Sequence, residues 1–234
     1  MRRVVQPELL DTLPPESPEA RQSRLDLRRV NRLMGHPGRL IRGILPLLPT
    51  APQRPWRILE LGAGDAVLSG QIWNRLPVPP VGSQLVLLDQ AAIGEPGALN
   101  QLEARGWKIE LVKSDAFAWL EDAGETPFDV TYSNLFIHHF DSGALAELLR
   151  LLAAQTRAFI TLEPRRGWSA QLGVRGLRWL GHHAVTLYDA RCSVLAGFQG
   201  KELSRAWPSP DWSLSEGRAG LFSHRFIARR RPAS

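Results

Sequence analysis

Short apolar runs alternate with helical patterns through the middle of the chain. The apolar runs have strand length and lie at residues 57–61, 84–89, 107–113, 128–134 and 157–162. Apolar positions at helical spacing separate them at residues 66–76, 97–105, 116–122 and 142–155. Buried parallel strands have this continuous apolar pattern, and a helix usually connects one such strand to the next. The alternation therefore predicts an α/β fold, with a mostly parallel sheet and helices on both faces.

The first part of the chain is helical in pattern and contains no strand-length run. Ser17 and Pro18 are a favourable N-cap and first helical residue, and Gly35 provides a stop. These signals predict a helix over 18–34. A shorter apolar helix is predicted at 40–48.

Three prolines, Pro49, Pro52 and Pro55, then form a segment that neither a helix nor a central strand would tolerate. They mark a boundary between two parts of the chain. We therefore predict an N-terminal helical extension, residues 1–55, that caps a main domain formed by residues 56–234.

The last third of the chain is less regular. Helical patterns occur at 169–180 and 188–197, a weak strand is predicted at 201–203, and 222–230 has the alternation of a final strand. Residues 163–212 interrupt the approach to the last strands. We interpret this segment as an insertion that covers a substrate.

Composition and charge narrow the class of protein. The hydrophobic fraction of 44% and the charged fraction of 22% are those of an ordinary globular protein. The net charge is +6, with basic residues concentrated at 21–32 and 229–231. Such runs are usually solvated surface, so this pattern favours a charged surface over a nucleic-acid partner.

Two further absences bear on location. No apolar run approaches the ~20 residues of a membrane span, and the N-terminus lacks an apolar signal core. Cys192 is the one cysteine, which excludes an internal disulfide and suits a reducing cytoplasm. We therefore expect a cytoplasmic protein without a membrane span.

The first predicted strand ends in a glycine turn, within ILELGAGDAVLSG at residues 58–70. Glycine lets a ligand approach the backbone closely, and the start of the following helix exposes amide groups. A phosphate-binding P-loop would require a Gly-Lys-Ser/Thr ending, which is absent. A dinucleotide-binding turn would require a third glycine where Val67 stands. Neither of these ligand classes fits.

The same stretch resembles the first motif of the class I S-adenosylmethionine-dependent methyltransferases, an acidic residue followed by G-x-G-x-G. Glu60, Gly62 and Gly64 match it, Ala63 lies between the glycines, and Ala66 replaces the last glycine. The resemblance implies a Rossmann-like, seven-stranded, mostly parallel sheet. It also implies S-adenosyl-L-methionine as the cofactor, held by these turn residues.

Carboxylates also end the second and third predicted strands. Asp89 ends LVLLD, and Asp115 lies in SDAF with Ser114 and Ala116 on either side. The resemblance implies that Asp89 binds the ribose hydroxyls and that the residues around Asp115 contact the adenine. Asp115 also has the position of an N-cap for the following helix, and the two roles are compatible.

The fourth predicted strand leads into FDVTYSNLFIHHFD, residues 128–141. This stretch resembles the L-H-H-F/L element of small-molecule methyltransferases related to those of ubiquinone and menaquinone biosynthesis. The resemblance places Asn134 at the cofactor and the His138–His139 pair near the reacting methyl group. A histidine suits a general base near neutral pH. Alternatively, one histidine is a packing or helix-start residue, because adjacent side chains are expected to point in different directions.

The residues directly after Asn134 exclude one class of enzyme. Methyltransferases that act on amino groups of nucleobases typically have an Asn/Asp-Pro-Pro-aromatic element here, whereas this chain has Leu135 and Phe136. No H-x-x-x-H or C-x-x-C spacing occurs anywhere, so no metal site is expected.

The insertion contributes aromatic and imidazole side chains that could wall an acceptor pocket. Trp168, Trp179, His182 and His183 are assigned to substrate binding on this basis. The alternative is a helix packed by its tryptophans, with histidines near its C-terminal end.

Segments near both termini, including PELLDTLPPESPEARQSRLDLRRVNRLMG and AGLFSHRFIARR, resemble bacterial methyltransferases encoded beside type III polyketide synthases. The resemblance implies methyl transfer to O or C of a small aromatic, polyketide-like or quinone-like acceptor. Two alternatives stay open: an RNA or protein methyltransferase that uses the Arg-rich helix, and a SAM-binding regulator without catalysis.

Overall fold

Seven strands form one sheet through the described parts of the chain. A computed structural model describes residues 1–14, 16–49, 54–91, 94–124, 126–177, 183–208 and 210–232. The strands are β1 (Arg57–Leu61), β2 (Gln84–Asp89), β3 (Lys108–Lys113), β4 (Val130–Asn134), β5 (Ala158–Pro164), β6 (Trp212–Arg218) and β7 (Ser223–Arg230). Their order is β3-β2-β1-β4-β5-β7-β6, and only the β5–β7 and β7–β6 pairings are antiparallel. The predicted mostly parallel sheet is confirmed.

Helices connect and flank these strands. In the described residues they are α1 (Pro18–Leu33), α2 (His36–Ile44), α3 (Val67–Trp73), α4 (Pro96–Ala104), α5 (Ala116–Glu121), α6 (Ser142–Gln155), α7 (Trp168–Leu177), α8 (Ala184–Ala196) and α9 (Glu202–Ala206). Short 3-10 helices occur at Leu45–Leu47 and Ile137–His139. Ser17 caps α1 as predicted, because its side chain accepts a hydrogen bond from the Ala20 amide at 3.1 Å.

Both faces of the sheet are buried. On one face, Ile58 and Ile160 pack with Trp73 of α3 in a cluster that also includes α2. On the other face, Leu59 and Phe159 pack against α6 and the C-terminal strands. This two-sided burial explains why β1, β2 and β5 have nearly continuous apolar runs, and in β4 it buries the polar Thr131 and Ser133 as well.

The strand order reverses between β1 and β4. The chain runs outward from β1 through β2 to β3, then returns to the other side of β1 to form β4 and β5. In open α/β sheets, ligands bind at the carboxyl ends of the strands where the order reverses. The glycine turn after β1 and the histidine-containing turn after β4 both lie at this point.

The C-terminal third corrects the sequence analysis. The predicted weak strand at 201–203 is wrong, because this segment begins α9, whose Leu203 and Ser204 amides donate to the Glu216 carboxylate at 3.1 and 2.8 Å. The sixth strand is instead β6, which the hydrophobic pattern did not reveal. As an edge strand it exposes alternate polar residues and has no continuous apolar run.

The N-terminal part divides into three pieces. Residues 1–14, which we name the N-terminal strap, run along α8 and the turn after β4; for example, the Val4 amide donates to the Leu195 carbonyl at 3.1 Å. Helix α1 also packs against α8. Helix α2 instead packs directly on the sheet through Leu40 and Ile44, and so belongs to the core.

Within the described ranges, no helix is both long and apolar enough to cross a bilayer.

Candidate active site

The glycine turn after β1 has two glycines with different surroundings. Both adopt left-handed backbone conformations, with φ +68° at Gly62 and +52° at Gly64. A Cβ atom on Gly62 would lie 2.6 Å from Cδ2 of Phe136, so the phenyl ring already fills that space. A Cβ atom on Gly64 would meet no protein atom within 4 Å. The backbone at Gly64 is therefore open to a ligand, whereas Gly62 is required by packing.

Asp89 at the end of β2 is tied to this turn. Its Oδ2 accepts from the Gly64 amide at 2.8 Å, and its Oδ1 accepts from the Ala91 amide at 2.8 Å. The Ala63 amide donates to the Leu88 carbonyl at 3.1 Å. Sequence reasoning placed Asp89 and the glycine turn at one ligand, and the structure brings them into direct contact. The carboxylate is held in one orientation before any ligand arrives.

The residues after β3 line the next position along the same edge. Asp115 caps α5, because its Oδ1 accepts from the Phe117 and Ala118 amides at 2.9 and 3.1 Å. Its Oδ2 accepts from Gln90 at 2.6 Å. Asp115 is exposed and the neighbouring Ala116 is buried. The Ser114 amide joins β3 to the Asp89 carbonyl at 3.2 Å, so these strand ends form one continuous edge.

Glu60 has a different environment from the other predicted cofactor residues. Its carboxylate is buried, accepts from the Tyr132 hydroxyl at 2.8 Å, and also accepts from Ser69. Burial raises the pKa of Glu60 to about 8, despite the two hydrogen bonds that favour the charged form. Glu60 therefore supports the glycine turn from inside, on the side of α3, and does not face the open edge.

Helix α1 lies across the strand ends at the point where the strand order reverses. Arg28 pairs with Asp65 of the glycine turn at 2.7 Å. Asn134 at the end of β4 donates to Asn31 at 3.1 Å. Leu135 follows Asn134 with φ +53°, an uncommon conformation for a branched side chain that re-aims the chain at this end. The sequence alone gave no signal for this contact between α1 and the site.

His138 is buried between two carboxylates. Its Nδ1 lies 2.7 Å from Glu163 Oε2, and its Nε2 lies 3.3 Å from Glu8 Oε1. Burial alone would lower the pKa of His138, but the hydrogen bonds to Glu163 and Glu8 outweigh it and raise the pKa to about 9. In this environment His138 retains its proton at neutral pH.

His139 lies beside its neighbour rather than pointing away from it. The two ring centroids are 4.3 Å apart, and His139 Nδ1 lies 3.1 Å from Asp11 Oδ2. The expectation that adjacent histidines point in different directions is therefore wrong here. They lie in a tight 3-10 turn, where the N-terminal strap supplies a carboxylate to each.

Glu163 at the end of β5 organises the turn that carries these histidines. Besides His138, it accepts from the Phe136 and Ile137 amides at 3.3 and 3.1 Å and from the Thr161 hydroxyl at 2.6 Å. Burial would raise the pKa of Glu163, but the bond to His138 lowers it below the usual range. Sequence reasoning missed this residue. An acidic residue ending an apolar strand was the available signal, as it was for Asp89.

Solved structures resemble this chain over much of its length. The plantazolicin methyltransferase BpumL, in complex with SAH, has a TM-score of 0.64 over 92% of this chain and 92% of its own, at 12% identity. The mitomycin 7-O-methyltransferase MmcR has a TM-score of 0.57 over 95% of this chain and 60% of its own, at 16% identity. The magnesium protoporphyrin IX methyltransferase ChlM from Synechocystis PCC 6803, with bound SAH, has a TM-score of 0.54 over 86% of this chain and 84% of its own, at 14% identity.

The chain has the class I methyltransferase fold. No family model matches the sequence, and no curated protein matches it significantly. At such low identities the structural likeness concerns the architecture, and it confirms the predicted fold class. Within the class I fold, the predicted cofactor residues after β1 to β4 lie along one edge, except for the inward-facing Glu60.

Two of the four predicted acceptor-pocket residues, Trp168 and His183, lie in the described part of the chain. Trp168 is 76% exposed on α7. His183 is the N-cap of α8, and its amide donates to Asp26 of α1 at 2.9 Å. Trp179 and His182 lie outside the described residues. His183 thus connects α8 to α1. Its position directly before an apolar helix is compatible with this role.

Proposed function

We propose that this protein is an S-adenosylmethionine-dependent methyltransferase that methylates O or C of a small acceptor. The observation that carries the proposal is the open backbone at Gly64 beside the fixed carboxylate of Asp89, at the point where the strand order reverses. Such a site suits an elongated ligand that has hydroxyl groups to donate and needs close approach to the backbone.

The residues along the edge fit the parts of this cofactor. We assign the turn at 62–64 to its amino-acid portion, Asp89 to its ribose hydroxyls, and the residues around Asp115 to its adenine. Asp89 accepts one backbone amide at each carboxylate oxygen, so each oxygen has a further lone pair for a ligand. At Asp115, Oδ1 already accepts two amides, and Oδ2, which accepts from Gln90, has the remaining lone pair. When bound, S-adenosylmethionine supplies a methyl group activated by positively charged sulfur.

In this proposal the protein contributes positioning and exclusion of water. Asn134 ends β4 at the reacting side of the edge, where Asn31 of α1 contacts it, and Arg28 of α1 contacts the glycine turn through Asp65. Bringing an acceptor oxygen or carbon into line with the methyl group can supply most of the required acceleration. We assign no proton transfer to His138, because its pKa of about 9 makes it a poor base at neutral pH.

We further propose that the extension at 1–55, apart from the core helix α2, and the insertion at 163–212 together cover the acceptor. The Asp26 carboxylate of α1 accepts from Thr186 of α8 at 3.1 Å, so the two segments are joined above the sheet. A covered site favours a small acceptor over a polymer. The similar structures include methyltransferases of plantazolicin and mitomycin, which supports a small-molecule acceptor.

The alternative of an RNA methyltransferase is less well supported. Arg21, Arg28 and Arg29 of the Arg-rich helix each pair with a carboxylate of this chain. Residues engaged in this way are less available for phosphate groups, so the charge of α1 serves the fold.

A regulator that only binds the cofactor would also use the Gly64–Asp89 edge, and only an assay of methyl transfer separates it from an enzyme.

The test uses cofactor with a labelled methyl group, purified protein, and a total extract of small molecules and RNA. The reaction is partitioned between organic solvent and precipitated polymer. We expect label in the organic phase, dependent on the protein and lost in Asp89→Asn. Label in the polymer would replace the small acceptor by an RNA or protein. Cofactor binding without transfer to either fraction would favour the regulator.

A further inference from the structure

Two histidines and a carboxylate converge where the N-terminal strap crosses the turn after β4. His138 Nε2 lies 3.3 Å from Glu8 Oε1, and His139 Nε2 lies 3.9 Å from Glu8 Oε2. One potential ligand atom from each of these three residues lies within 4.8 Å of the other two. We propose that Glu8, His138 and His139 form a binding site for a divalent transition-metal ion of the Zn²⁺ type, whose binding displaces the proton on His138 Nε2 into solvent.

The distances suit such an ion. A tetrahedral site with bonds of about 2.0–2.2 Å separates neighbouring ligand atoms by roughly 3.3–3.6 Å. The pair from His138 and Glu8 already has this separation, at 3.3 Å. His139 Nε2 lies 3.9 Å from the other carboxylate oxygen, Glu8 Oε2, so His139 must move towards Glu8 for one ion to reach all three ligands. The His139 side chain is 27% exposed and can make that adjustment, and its exposed side gives the ion a way in.

Each imidazole has a second carboxylate at its other nitrogen. His138 Nδ1 lies 2.7 Å from Glu163 Oε2, and His139 Nδ1 lies 3.1 Å from Asp11 Oδ2. Metal-binding histidines characteristically donate their non-ligating N–H to a carboxylate, which fixes the tautomer and aims the other nitrogen at the metal. Ser193 likewise donates to Glu8 and holds it in place. All three ligands are therefore oriented by a neighbouring group.

A single histidine–carboxylate pair elsewhere in the chain provides a contrast. His224 of β7 is buried and lies 2.8 Å from Glu216 of β6, so one carboxylate is enough to satisfy a buried histidine in this fold. The strap and the turn instead bring two histidines and three carboxylates together, including Glu163 and Asp11. Two imidazoles with one carboxylate favour Zn²⁺, Co²⁺ or Ni²⁺ over Mg²⁺ and Ca²⁺, which prefer oxygen ligands.

The site would have a structural consequence. Glu8 belongs to the strap and the histidines to the turn after β4, so a bound ion would join two segments far apart in sequence. Arg3 already reinforces this contact by donating to the His138 and Phe140 carbonyls at 2.9 and 2.7 Å. The ion would thus fasten the strap beside the edge where we propose that the acceptor binds.

The test is metal titration of the full chain after treatment with a chelator. Calorimetry follows Zn²⁺, and visible absorption follows Co²⁺, whose spectrum reports low coordination number and imidazole ligands. We expect one ion per chain and at least tenfold weaker binding in both Glu8→Gln and His139→Asn. Asp11→Asn should weaken binding less. Glu16→Gln, an exposed carboxylate next to the strap, is the matched control and should bind as the wild type does.

Two results would overturn the site: absence of saturable one-to-one binding of either ion, or equal affinity in the wild type, Glu8→Gln and His139→Asn. Circular dichroism checks that each variant is folded. If Glu8→Gln does not fold, the partly exposed His139 decides the question alone. The titration needs neither cofactor nor acceptor, so its outcome is independent of the proposed methyl transfer.

Discussion

At the scale of single residues, the two glycines of the turn make a matched pair. Gly64→Ala places a methyl group in open space, so we expect only about 1–2 kcal/mol of backbone strain and a folded protein. We expect its affinity for SAH, measured by calorimetry, to fall at least tenfold, because the methyl group occupies the approach to the backbone. Gly62→Ala should instead destabilise the fold severely, because its Cβ would lie 2.6 Å from the Phe136 ring. Unchanged SAH affinity in Gly64→Ala would move the ligand away from this turn.

Asp89 carries the second prediction at this scale. Asp89→Asn retains the shape of the side chain but removes its charge, and hydrogen bonds to charged groups contribute about 1.5–3 kcal/mol each. We therefore expect a loss of SAH affinity of roughly tenfold to a hundredfold. Asp122→Asn, at the exposed end of α5, is the control and should bind normally. Equal affinity in the two variants would contradict the assignment of Asp89 to the ribose.

At the scale of elements, Asp26 holds α1 to α8. It is buried and accepts from the His183 amide and the Thr186 hydroxyl at 2.9 and 3.1 Å. Asp26→Ala leaves both donors without this partner, so we expect a loss of about 2–4 kcal/mol in unfolding free energy and faster hydrogen exchange in α1. Glu19→Ala, exposed in the first turn of the same helix, should cost less than about 1 kcal/mol. Equal effects of the two substitutions would show that α1 is held by other contacts.

At the scale of the whole molecule, Glu60 links stability to pH. The folded protein raises the pKa of this carboxyl from 4.5 to about 8, so between these values the folded state retains a proton that the unfolded state has lost. This group therefore lowers stability as pH rises through that interval. Glu60→Gln imitates the protonated form at every pH. From pH 4.5 to about pH 8, the unfolding free energy of this variant should therefore increase relative to that of the wild type, by about a few kcal/mol at most. Urea unfolding at both limits measures the difference, and a constant difference would contradict a buried proton at Glu60.

The sequence predicted the regular parts of the fold and one edge of the site. The bounds of β1 and β2 were predicted to the residue, because strands buried on both faces have nearly continuous apolar runs, and those of the other parallel strands were predicted to within two residues. The positions of Gly64, Asp89 and Asp115 at the ends of β1, β2 and β3 followed from the predicted succession of parallel strands. Strand β6 was missed because its sequence, WSLSEGR, contains no apolar run of strand length.

Local sequence therefore determined which elements form, in what order, and which polar residues end the parallel strands, because these properties depend on neighbours a few residues apart. Tertiary structure alone decided that α1 crosses the strand ends, that Glu60 turns inward, and that Glu8 meets His138 across 130 positions of the chain. Those contacts depend on how whole elements pack, and no spacing in the sequence encodes them. The chemistry of His138 changes accordingly, since the two carboxylates that raise its pKa come from β5 and from the N-terminal strap.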